Sequence, residues 1–248
     1  GASRPARLEL RDRERRLPAA LTIVFVVLLG FFRRVSYVNL LEKFHHTLLT
    51  SHFWKGGKPP SSTALTKARD RLGLKPVVLL FRRVVEELEK LHQPMTFHGR
   101  EVNAIDGSTF PVADTLPNRR HFGLPGASRG RAGYPQLHVA CLVQIGSRII
   151  KEIVHGRYRA YELDLARKLF PKLKKGVLVL MDRLFFAFDF LWDIHGQGCD
   201  FVVRMTSVCS PRVVNRFSKS DVIVEISIPR HYRRRRGDMP RTWMLRMV

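Results

Sequence analysis

The spacing of apolar residues changes period once along the chain, near Phe97, and the change divides a helical part from a sheet-forming part. Ahead of it, Leu17 to Phe32 carries no charge and reads as a buried helix, with Pro18 suited to its first turn. Val38, Leu41, Phe44, Leu48 and Leu49 then recur at three- and four-residue steps, the mark of an amphipathic helix. Lys58-Pro59-Pro60 breaks the chain, and Ser61-Ser62-Thr63 supplies good N-caps for a short helix, Ala64 to Leu72, which Gly73 ends. Pro76 opens a further helix running to about Leu91. Beyond Phe97, Glu101 to Ile105 reads as a first strand and residues 107–133 as an extended loop rich in Gly, Pro, Asn and Arg. Tyr134 to Ile145 and Arg148 to Val154 form a hairpin about Gly146-Ser147. A helix from Tyr161 to Leu173, a strand from Val177 to Met181, a helix from Phe186 to Ile194 and a strand from Asp200 to Met205 follow.

The order β-β-β-α-β-α-β suits a mixed sheet with a right-handed crossover between the hairpin and the fourth strand. An RNase H-like sheet has this order, with its first and fourth strands adjacent. The expected organisation is therefore a helical N-terminal domain over residues 1–95, an RNase H-like core over 96–205, and the start of a β-rich insertion over 206–248. That last segment alternates at Val222, Val224, Ile226 and Ile228 and carries the run Arg233 to Arg236.

Charge narrows the partners. The 248 residues hold 44 Lys+Arg against 21 Asp+Glu, a formal net charge of +23. So large an excess in a chain that is 45% hydrophobic excludes wholesale disorder and points to a polyanion, foremost nucleic acid. Cys141, Cys199 and Cys209 show no paired spacing, so neither a disulfide framework nor a zinc site is implied and a reducing cytoplasm is expected. The uncharged run from Leu17 to Phe32 is shorter than the roughly twenty residues of a spanning helix, and no membrane role is expected.

Two acids stand out. Asp106 and Asp182 each close a short apolar run, and a carboxylate at the carboxyl end of a buried strand projects into the crevice above an open sheet. Asp also favours turns, and Asp106-Gly107 alone fits that simpler reading. Asp182 fits it less well, because Leu184, Phe185, Phe186 and Phe188 resume an apolar segment at once. Two such ends side by side would offer hard oxygen ligands to Mg²⁺, with Mn²⁺ as the alternative. No acid occurs between Asp114 and Glu152, an interval that holds Arg119, Arg120, Arg129 and Arg131. With Arg183 and the run Arg233, Arg234, Arg235 and Arg236, these are the candidate contacts to a phosphate backbone. Gly107-Ser108-Thr109 lacks the Gly-x-Ser-x-Gly pattern of a nucleophile elbow, and His45, His46 and His52 have no cysteine or carboxylate at ligand spacing. A phosphodiester substrate and paired carboxylates suggest two ions about 3.5–4 Å apart, serving the attacking and leaving oxygens.

Several stretches together resemble the DDE transposases of bacterial insertion sequences, specifically the insertion-sequence-four family. They are Ile105-Asp106-Gly107-Ser108, Ala113-Asp114-Thr115, Asn118, Phe122-Gly123, Tyr134-Pro135-Gln136, and Met181-Asp182-Arg183 before an aromatic pair. Arg15-Arg16-Leu17-Pro18, Ser61 to Ala68 and Arg71-Leu72-Gly73 resemble that family's helical leader. Leu184 departs from the Gly that many relatives carry there. The resemblance implies a bacterial, nucleoid-associated protein that nicks duplex DNA at element ends and joins the freed 3′-hydroxyl to a new site, as a homodimer on synapsis. It also implies a third acid in a Tyr-x-x-Arg-x-x-x-Glu setting. Glu225, in an alternating strand, and Asp238, in an Arg-rich turn, do not match that setting. The chain is thus expected to stop before its third acid. The competing expectation is a catalytically inactive copy that occupies element ends without cutting them.

Overall fold

The computed structural model describes residues 17–32, 34–50, 59–126, 133–207 and 209–248. Backbone contacts divide the chain into two compact units, Gly1–Arg83 and Val84–Val248. The first holds α1 (Ala19–Phe31), α2 (Tyr37–Thr50) and α3 (Ser62–Leu72), and α4 (Lys75–Leu91) runs from the first unit into the second. Ser61 caps α3 by accepting from the Ala64 N–H at 3.2 Å, and Gly73 ends it at φ 65°, a conformation that favours glycine. The small core joins Leu17, Phe25, Leu41, Leu65 and Ala68. The expectation of a buried first helix needs correction: α1 is apolar on every side, but only a stripe through Thr22 and Phe25 is buried, and Phe31 is 79% exposed. Among the described residues no helix is long and apolar enough to cross a membrane. Arg15-Arg16 lies outside the described residues, as do His52 and Lys58 and the side chains of Leu48 and Leu49.

The second unit is built on a sheet whose strands are β1 (Thr96–Phe97), β2 (Arg100–Pro111), β3 (Gln136–Gln144), β4 (Ile150–Arg157), β5 (Leu178–Met181) and β6 (Asp200–Val203). Its order is β4-β3-β2-β5-β6, with the short β1 paired antiparallel to β2. The β2–β3 and β3–β4 pairs are antiparallel, and β2–β5 and β5–β6 are parallel. This is the RNase H-like arrangement. The parallel pairs require crossovers, and α6 (Glu162–Arg167) and α7 (Phe188–Gly196) lie within them. One face of the sheet (Ile105, Ala140, Leu142, Val179, Met181) packs on Leu163, Leu165, Ala166, Phe190, Leu191 and Ile194 of these helices.

Three elements differ from the expected ones. The first strand continues past Ile105 to Pro111, because Asn103 to Pro111 pair with Gln144 to Gln136 of β3 over the whole length. That ladder outweighs the turn propensity of Asp106-Gly107-Ser108. Within the expected loop, Thr115 caps a short α5 (Leu116–Phe122) by accepting from the Asn118 N–H at 3.3 Å. The helix expected over Tyr161 to Leu173 stops at Arg167 and resumes only as a 3₁₀ turn, Phe170–Lys172, since Pro171 cannot donate to a helical ladder. The C-terminal segment forms an antiparallel sheet of β7 (Arg212–Arg216), β8 (Val222–Ser227) and β9 (Thr242–Met247), with the Arg run in a short α8 (Arg230–Arg235). It packs on α7 through Phe188, Val222, Val224, Ile226, Ile228 and Met239.

Below the sheet centre Lys151, 6% exposed at its side chain, bridges Glu89 at 2.9 Å and Glu101 at 2.8 Å. Burial pushes the Glu101 carboxyl up, but Lys151 and Gln144 outweigh it and hold the group below its ordinary value. A carboxyl lowered on folding contributes stability above its unfolded value and loses it as the pH falls through the folded one. Lys151→Met is therefore expected to cost about 3 kcal/mol near neutral pH, because it leaves the half-buried Glu101 without its cation, with only Gln144, among the described residues, donating to it. It should also flatten the acid limb of stability, which urea unfolding from pH 7 down to pH 3 would measure.

Candidate active site

Side chains alternate across a strand, so register decides what can meet. In β2, Ile105 and Gly107 face the helices, and Ala104 and Asp106 face the opposite side. The parallel register pairs Val102 with Leu178 and Ala104 with Leu180. Two residues further along both chains stand Asp106 and Asp182. Both are exposed, on the face where Val202 of β6 is also 51% exposed. β5 ends at Met181 while β2 runs on, so both acids lie two residues past Ala104 and Leu180, the last pair of the parallel ladder.

Each carboxylate is held by one backbone donor. Asp106 Oδ1 accepts from the Gly107 N–H at 2.8 Å. Asp182 Oδ1 accepts from the Leu184 N–H at 2.9 Å and so caps a 3₁₀ turn, Arg183–Phe185. The turn-forming tendency of Asp is thus realised at Asp182 with one oxygen only. Cys141 lies opposite Asp106 across the β2–β3 ladder, and its thiol is pushed up by burial and then by the Asp106 charge.

A third acid, absent from the sequence-based set, comes near from the other face. Glu162 opens α6, and its Oε1 lies over the Cα of Gly107, in space that any Cβ there would occupy. His138 of β3 stands beside it, Nε2 4.0 Å from Oε1, with its Nδ1–H donated to the Ala160 carbonyl at 3.1 Å. The Glu162 carboxyl is raised above its ordinary value by burial first; His138 opposes this, and the charges of Asp182 and Asp106 both add to it. The only trace in the sequence was a glycine directly after a strand-borne acid, which had read as a turn. Among the described residues, no group of three or more His, Cys, Asp or Glu is arranged to hold a metal ion.

The candidate phosphate contacts among the described residues divide in two. Arg119 is engaged by Asp114, through Nε to Oδ1 at 2.5 Å and Nη2 to Oδ2 at 2.6 Å. Arg233 donates to the Ile228 carbonyl, and Arg236 pairs with Asp193 and Asp238. Arg120, Arg183, Arg234 and Arg235 are exposed and make no side-chain hydrogen bond or ion pair with a described residue. Arg129 and Arg131 lie outside the described residues. Glu225 is on β8, its carboxyl held below its ordinary value by Arg212 at 2.5 Å. Asp238 accepts from the Trp192 indole N–H at 2.9 Å and is likewise lowered.

Residues 97–248 match the family model described as a transposase DDE domain. The chain belongs to the DDE transposase family. Residues 6–82 match a second model, the N-terminal region of insertion element 4 transposases, which covers α1 to α3. Two curated relatives of this DDE transposase chain come from Escherichia coli (strain K12). The putative transposase InsZ is 28% identical over 190 residues, covering 76% of this chain and 61% of the relative. Transposase InsG for insertion sequence element IS4 is 24% identical over 221 residues, covering 86% and 48%. The chain thus spans roughly half to three-fifths of their lengths. The piggyBac transposase, solved as a synaptic complex with hairpin DNA, is similar over 92% of this chain and 51% of its own, at 10% identity and a TM-score of 0.45.

Proposed function

We propose that this chain carries the DNA-binding and strand-cleaving parts of an insertion-element transposase, with Asp106 and Asp182 as the metal-binding catalytic pair. The observation that supports this reading most is that two exposed acids each lie two residues past the end of the parallel β2–β5 ladder of a DDE domain. The donors fit a hard divalent cation: in each acid one oxygen is pinned by a backbone N–H, and the other makes no hydrogen bond with a described residue. Mg²⁺, or Mn²⁺ in its place, would stabilise charge on the attacking and leaving oxygens of a phosphodiester. Arg183, next in sequence to Asp182 and exposed, is placed to neutralise a backbone phosphate beside the pair. Arg120, Arg234 and Arg235 extend the same role along the duplex. Residues 1–95 serve as the DNA-binding leader, 96–205 as the catalytic core and 206–248 as the insertion. The setting is the nucleoid of a bacterial cytoplasm, where a second copy holds the second element end.

Fluorescence anisotropy on duplex DNA tests the binding half. Neutralising roughly six to ten phosphates would lower the affinity by about 10³–10⁵ between 50 and 200 mM salt. Arg120→Glu should weaken binding more than Arg119→Glu, because Arg119 is already paired with Asp114. An affinity indifferent to salt would remove the phosphate-binding reading. Mg²⁺-dependent nicking of a duplex carrying the element end tests the catalytic half; binding without nicking would instead support the copy that occupies ends.

A further inference from the structure

We propose that Glu162 is an additional carboxylate of this centre, outside the ligand set itself, reaching it from the helix-covered face of the sheet through the gap that Gly107 leaves. The inference rests on the reading of Asp106 and Asp182 as the metal-binding pair and adds a residue that neither strand carries.

Gly107 directly follows Asp106, and strand alternation turns its missing side chain toward α6. An alanine Cβ at this position would collide with Glu162 Oε1 and crowd its Cδ. The glycine thus admits the carboxylate against the β2 backbone. Two further contacts fix Glu162 from behind. It occupies the first turn of α6, whose Leu163, Leu165 and Ala166 are buried in the main core. His138 has its ring set by the Ala160 carbonyl and turns Nε2 to the same oxygen.

This seat is electrostatically poor for an anion. The side chain is only 25% exposed and lies within the field of two other carboxylates, with His138 as its nearby counter-group. A buried carboxylate without full compensation is costly, and a cation held by the two aspartates would relieve it. The three do not converge tightly enough to ligate one ion together. Mg²⁺ keeps most of its water and commonly takes only one or two protein carboxylates directly. Glu162 would therefore accept hydrogen bonds from waters of an ion held by Asp106 and Asp182, rather than ligate it. It is a positioning residue.

The test is Mn²⁺ titration of the 248-residue chain, followed by calorimetry and by thermal unfolding, with Glu162→Gln, Gly107→Ala and Asp182→Asn. Glu162→Gln should weaken Mn²⁺ binding by about 10-fold, at the lower end of what outer-shell partners cost. It should leave the metal-free Tm unchanged or raised, because a like charge is gone. Gly107→Ala keeps the acid but displaces its flexible end, and should weaken Mn²⁺ binding in the same direction. Binding within about twofold of the parent in both variants, with Asp182→Asn losing it, would overturn the role of Glu162 and leave the aspartate pair standing. If Asp182→Asn also retains binding, the pair itself has been misassigned. A lower metal-free Tm for Glu162→Gln with unchanged Mn²⁺ affinity would make the residue merely structural.

Discussion

In a transposase that also carries the third acid, Asp106→Asn and Asp182→Asn are each expected to reduce metal-dependent strand cleavage by roughly 10²-fold or more while changing duplex affinity by less than about twofold. The separation of the two effects follows from where the acids sit. Both are exposed at the end of the β2–β5 ladder, and neither carries core packing. Asparagine keeps the shape and retains an oxygen for the Gly107 or Leu184 N–H, so the strand end and the 3₁₀ turn should survive. What it removes is the negative charge that a hard cation requires. Losing a negative charge cannot weaken attraction to phosphate, so binding should hold or tighten slightly, most visibly at low salt. Nicking of end-bearing duplex in Mg²⁺, measured beside anisotropy on the same DNA, gives both numbers. Cleavage within a few-fold of the parent in either variant would remove that acid from the chemistry.

The two strand-end acids stood out in the sequence for a physical reason: buried parallel strands are continuous apolar runs, and an acid closing one is conspicuous. The adjacency of their strands followed from the RNase H-like order of elements, in which the first strand lies beside the fourth, as β2 and β5 do. What escaped was non-local. The extension of β2 to Pro111 depends on pairing with Gln136 to Gln144, far along the chain, and local punctuation at Gly107-Ser108 argued against it. Glu162 was hidden by the same misreading, because a glycine in a turn and a glycine that admits a side chain look alike until the sheet is assembled. The arginines teach a related lesson. Arg119, Arg233 and Arg236 belong to a basic surface by sequence, yet Asp114, the Ile228 carbonyl and Asp193 already occupy them. Charge counts find the surface but not the residues free to use it.

Arg167→Ala is expected to cost about 3–5 kcal/mol, the most damaging single change to stability among the ionic contacts of the second unit. One guanidinium on α6 meets three carboxylates: Asp193 through Nε at 2.9 Å, Asp189 through Nη2 at 2.7 Å and Asp164 through Nη1 at 2.9 Å. Its planar head also lies over the Phe190 ring, 5.5 Å from the centroid. Asp189 and Asp193 stand one turn apart on α7 and are under one-fifth exposed at their side chains. Removing the arginine leaves two half-buried like charges facing each other, with Arg236 answering only Asp193. Lysine cannot span the fork, so Arg167→Lys should recover less than half of the loss. Lys90→Ala, which breaks an exposed pair with Glu87, should change stability by less than about 0.5 kcal/mol and serves as the control. The consequence reaches the site, because α6 also carries Glu162, and a loosened helix no longer holds that carboxylate over Gly107. Arg167→Ala should therefore both lower the Tm by roughly 6–20 °C, at about 2–4 °C per kcal/mol for a chain of this size, and weaken Mn²⁺ binding. A Tm within about 2 °C of the parent would show that the α6–α7 ion network contributes little.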